Sequence, residues 1–145
     1  MTGQRLVFLK TAADTGGELL EMESFYQPGA LRVSLNGTQR RLGPGEVLVI
    51  DPGMVHEMWN GDADWAEVNW QVRPALKTEQ LIETTYGLAQ AGKVNARGVP
   101  GLLQAAALLR TYDAELRLAS PPRMIQPLLF GLLARIAWLR GYRSR

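Results

Sequence analysis

Apolar and polar residues change their spacing near Pro74. Before it, short alternating runs are broken by Gly, Pro and Asn. Glu18 to Tyr26 ends at Pro28-Gly29, Leu31 to Leu35 meets Arg40 to Leu42 across Asn36-Gly37, and Val47 to Ile50 ends at Asp51-Pro52-Gly53. From Trp65 to Val72, Ala66, Val68, Trp70 and Val72 alternate with polar Glu67, Asn69 and Gln71. Period 2 with regular turn punctuation predicts a small antiparallel sandwich or barrel. Asn-Gly is the strongest of these turn signals, because a type I′ turn needs two residues at positive φ.

After Pro74 the period is helical. Leu81, Ile82, Thr85, Tyr86, Leu88 and Ala89 recur three and four residues apart, with Gly92 as a stop. A second helix is expected from about Pro100 to Leu118. A third starts at Ser120-Pro121 and carries Ile125, Leu128, Leu129, Leu132, Leu133 and Ile136 as one continuous stripe. The expected division is a β region over residues 1–73 and a helical region over 74–145, packed on the β region or on a partner subunit.

Composition narrows the chemistry. With 145 residues and 46% hydrophobic content the chain is long enough for one ordinary domain. It has no cysteine, so disulfides, thiolate metal sites and cysteine nucleophiles are excluded, in keeping with a cytoplasmic location. A single histidine, His56, leaves too few imidazoles for most transition-metal and Ser-His mechanisms. Charge is uneven: residues 1–70 hold five Lys/Arg against ten Asp/Glu, and residues 71–145 hold eleven against four. Lys10 interrupts the first apolar run, so no signal peptide is read there.

The segment GEVLVIDPGMVHEMWNGD over residues 45–62 is where a resemblance enters. It resembles the second conserved motif of the cupin superfamily, with Gly45, Pro52, Gly53, His56 and Asn60 at the motif's places. The preceding hairpin and the helical tail look like those of small bacterial single-domain cupins. The resemblance implies a mainly β fold with an α-helical C-terminal region: a cupin-like jelly-roll barrel, or an open sandwich of reduced strand number, followed by about three helices. The first cupin motif, a His-x-His pair with a Glu, has no counterpart. Gln27-Pro28-Gly29-Ala30 runs straight into Leu31, about twenty residues short of the family pattern.

Of the family's four metal ligands, then, only His56 can be carried over. A divalent ion in an N/O site needs about three or four protein ligands, so no cofactor is expected beyond a weakly held divalent ion at His56. Met58 and Asn60 share the strand face of His56 by period 2, and Glu67 could add an oxygen. His56, Met58, Asn60 and Glu67 are the expected ligand-binding residues. Asp51 is expected to bond its own turn, and Trp59 and Trp65 to pack.

The favoured function is a cupin-like small-molecule-binding domain without catalytic machinery. Two alternatives stand beside it: a metal-dependent cupin enzyme of dioxygenase or isomerase type with an atypical site, and an interaction protein using its basic helical tail on a membrane or an acidic partner. A homodimer is expected, covering either an edge strand at Leu31 to Leu35 or the apolar helix from Ile125 to Ile136. No nucleic-acid partner is expected, because the strands lack the interleaved basic pattern that phosphates require.

Overall fold

A computed structural model describes residues 5–26, 31–60, 66–122 and 124–142. Six strands come first: β1 (Arg5–Lys10), β2 (Leu20–Tyr26), β3 (Leu31–Leu35), β4 (Thr38–Leu42), β5 (His56–Asn60) and β6 (Ala66–Val72). Three helices follow: α1 (Thr78–Gln90), α2 (Leu102–Thr111) and α3 (Gln126–Leu139). The strands form two three-stranded antiparallel sheets, in the orders β1-β2-β6 and β4-β3-β5, the open sandwich of reduced strand number that the sequence predicts.

The Asn36-Gly37 turn sets the second sheet. Asn36 has φ 48° and Gly37 φ 86°, so both residues take the left-handed backbone a type I′ turn demands. The two-residue loop pairs Leu35 with Thr38 and, from there, Val33 with Arg40 and Leu31 with Leu42. Asn36 also ties the turn to the chain entering β5: its N–H donates to Val55 O at 2.8 Å, and its Oδ1 accepts from Val55 N–H at 3.1 Å. β5 then pairs with the other side of β3. Leu31 to Leu35 is therefore the centre of its sheet and not the edge expected from sequence, with Leu31 and Val33 buried.

A second correction concerns Val47 to Ile50. Its β-branched composition predicts a strand, yet it has no regular structure and no backbone hydrogen bond among the described residues. Val47 is 84% and Val49 74% exposed. A strand needs a partner with free backbone groups, and none of the described strands supplies one here. The turn residues 27–30 and Trp65 lie outside the described residues.

Close contacts divide the chain into two units. One contains residues 22–70 with the first strand up to Phe8; the other contains Leu9–Glu21 with residues from Gln71 onward. In the second unit, Ala75 N–H donates to Gly17 O at 3.0 Å, and Lys10 pairs with Glu21 at 2.7 Å. Helix α1 ends where expected, at Gly92 with φ 67°.

The other two helices are shorter than their apolar patterns suggest. After Thr111 the chain leaves the helix, with Glu115 and Leu116 N–H both turned to Tyr112 O. The connection up to α3 is held by Gln126, whose Nε2 donates to Leu118 O at 2.8 Å and Pro121 O at 2.7 Å. α3 accordingly starts at Gln126 and not at Ser120, and Pro127 sits in its first turn, where its missing N–H breaks nothing.

The helical core lies between α2 and α3. Ala106, Leu109 and Phe130 form it, with Leu116 and Leu133 packed against them. Ala106, Ala107, Ala134 and Ala137 are buried and small, which lets the two helix backbones approach. The continuous stripe expected on α3 is consequently divided. Of its six residues Leu133 packs against the core while Ile125, Leu128, Leu129, Leu132 and Ile136 are exposed, and the covered residues of α3 are Phe130, Ala134 and Ala137.

Within that stripe Leu132 lies on the exposed side. Phe130→Ala should cost about 3 to 5 kcal/mol of unfolding free energy. Leu132→Ala, at a position 61% exposed, should fall within about 0.5 kcal/mol of the starting protein when both are unfolded in urea at low protein concentration. Equal losses from the two substitutions would contradict the packing.

Candidate ligand site of the β unit

In an antiparallel pair, directly opposed residues share a face. The register of β4-β3-β5 therefore sorts side chains from a single observation, the burial of Leu31 and Val33. On that inner face Arg40, Val33 and Met58 form one row across the three strands, and Thr38, Leu35 and His56 the next. Leu42, Leu31 and Asn60 are the third set of register partners. The outer face carries Arg41, Arg32 and Trp59 in one row and Gln39, Ser34 and Glu57 in another.

His56 and Met58, read from sequence as site residues, thus stand on the core-bearing face, and Asn60 occupies the register position opposite Leu31. His56 is exposed at the start of β5, and its Nδ1 donates to Met54 O at 3.0 Å. That bond leaves Nε2 as the free position of the ring. Met58 is half-buried beside fully buried Val33. Glu67 stands apart, in the exposed row of β6 with Asn69 and Gln71, while Val68, Trp70 and Val72 are half-buried. Asp51 closes its turn through the backbone, its carbonyl accepting from Met54 N–H at 3.1 Å.

Two features went unread in the sequence. Arg40 is a guanidinium on the inner face, exposed and without a polar partner among the described residues. The second feature is Trp70: its indole Nε1 is buried and has no hydrogen-bond acceptor among the described residues. An unpaired buried donor costs about 1 to 3 kcal/mol, and such groups are rare in folded proteins.

Among the described residues no three His, Asp or Glu side chains come together. His56 is exposed and has one ring nitrogen committed to the backbone. One imidazole at a strand start is too few donors for a divalent ion. Adding a chelator to the purified protein should leave its melting temperature unchanged, and a fall of several degrees would contradict the ligand count.

Sheet order, turn chemistry and the position of His56 define a cupin-type domain. More narrowly, the chain belongs to the family of AraC-like ligand binding domains, whose model matches residues 26–134. No curated protein and no solved structure matches the chain.

Proposed function

We propose that this chain is a small-molecule receptor domain, cytoplasmic and homodimeric, that binds its ligand against the inner face of the β unit without turning it over. The observation that carries this reading is the Trp70 indole N–H. A folded chain that keeps a buried donor without an acceptor gains that bond when a ligand oxygen supplies one. On the β4-β3-β5 sheet His56 Nε2, Met58 and Arg40 offer a polar nitrogen, a soft apolar surface and a cation around buried Val33. A few directional polar groups on an apolar floor suit a small organic molecule. Membership of a ligand-binding family supports the same reading.

Trp70→Phe separates this role from a packing role. Phenylalanine retains the ring and removes the orphan donor, so the unliganded variant should melt at or slightly above the starting protein. In a thermal-shift screen of small oxygen-bearing compounds, those that stabilise the starting protein should lose most of that effect on the variant. A variant that melts lower yet keeps the full ligand shift would refute the assignment.

The second copy is expected at α3. Ile125, Leu129, Leu132, Ile136 and Leu139 follow one another at spacings of four and three residues, and all are exposed. Spacing of this kind is a seam for another helix. Arg135 and Arg140 sit beside the seam. No helix among the described residues is long and apolar enough to cross a membrane, and an exposed seam of this length asks for a protein partner in solution. Leu132→Glu should convert a dimer to a monomer in light scattering with little change in helix content. A starting protein that is already monomeric, and whose binding to anionic vesicles is lost on Leu132→Glu, would replace the dimer with a membrane role.

A further inference from the structure

The run Glu46 to Asp51 is an unpaired strand sequence. Four apolar residues, Val47, Leu48, Val49 and Ile50, lie between two acids, and their burial alternates: Val47 and Val49 exposed, Leu48 and Ile50 half-buried. Period-2 burial is strand behaviour, but the backbone groups of these four residues meet no partner among the described residues. Bare backbone beside exposed β-branched residues is a template for another strand.

Its flanks decide what that strand can be. Antiparallel pairing of the run with itself would set Glu46 against Asp51 at both ends, which like charges disfavour. A fitting partner carries a base at each end of four apolar residues. β1 has that pattern, Arg5-Leu6-Val7-Phe8-Leu9-Lys10, and lies at an edge of its sheet. In antiparallel register Arg5 would face Asp51 and Lys10 would face Glu46. Half-buried Leu6 and Phe8 would then meet half-buried Ile50 and Leu48, exposed Leu9 would meet exposed Val47, and half-buried Val7 alone would face a residue of different burial, exposed Val49. Parallel pairing satisfies the charges but sets half-buried against exposed residues at three pairs, Leu6–Val47, Phe8–Val49 and Leu9–Ile50, where the antiparallel register does so at one. Arg5, over the Phe25 ring at 5.7 Å, and Lys10, paired with Glu21, both remain exposed.

We propose that Glu46 to Asp51 is a strand-docking site whose occupant is the β1 edge of a second copy of this chain, adding a fourth strand to the β1-β2-β6 sheet of that copy. The contact is separate from the α3 seam, so it is tested in the full chain carrying Leu132→Glu. Amide hydrogen exchange along Val47 to Ile50 should slow at least about tenfold between dilute and concentrated protein. Glu46→Lys with Asp51→Lys should abolish that slowing, and mixing with a chain carrying Arg5→Glu and Lys10→Glu should restore it.

Glu46 Oε2 also accepts Gly43 N–H at 2.7 Å, so the charge reversal disturbs a turn as well. A peptide arm avoids that change: RLVFLK added to the Leu132→Glu chain should slow the same amides, and ELVFLE should not. Exchange that is fast at every concentration, slow at every concentration because the pairing is internal, or equally slowed by both peptides would overturn the proposal.

Discussion

Val33 is the residue on which the β unit depends. It is fully buried at the centre of β4-β3-β5, and both neighbouring strands take their register from it, Arg40 on one side and Met58 on the other. A slip of one residue would turn every side chain of a strand to the opposite face. The placement of His56 and Met58 beside a core, and of Arg32, Arg41 and Trp59 away from it, is thus a consequence of which face of β3 is buried. Asn36 enforces the same register from the turn, since it holds both the hairpin and the approach to β5.

The helical unit is governed by a different constraint, the small residues of α2 and α3. Ala106, Ala107, Ala134 and Ala137 are buried beside Phe130 and Leu109, and of the larger aliphatics of α3 Leu133 packs on that side. The other leucines and isoleucines lie on the solvent face, where their four-three spacing becomes a seam. With apolar residues on both sides of α3, and Phe130, Ala134 and Ala137 the buried ones, apolar periodicity alone does not tell the covered stripe from the exposed one.

What could be read from the sequence follows how local each cause is. The hairpin at Asn36-Gly37 and the end of α1 at Gly92 are fixed by one or two residues with special backbone needs, and both were readable. So was the shared face of His56 and Met58, which period 2 gives, while that this face is the inner one follows from the burial of Val33. The same period, counted back from Leu42 and across a two-residue turn to Val33, would have placed Arg40 inward too; the signal was there. The central position of β3 was not legible, because β5 joins it from more than twenty residues away. Nor was the unpaired state of Val47 to Ile50, since a strand's composition does not reveal whether a partner exists. The orphan donor of Trp70 depends on the absence of an acceptor in three dimensions, which no sequence pattern encodes.

The account rests on Trp70 being buried without an acceptor in the unliganded protein. The indole N–H resonances in a proton–nitrogen spectrum, assigned by Trp70→Phe, test that directly. The Trp70 signal should exchange slowly with solvent and yet sit at the upfield position of an indole N–H that makes no hydrogen bond. A signal that exchanges rapidly, or one already shifted downfield by a bond in the unliganded state, would contradict the account.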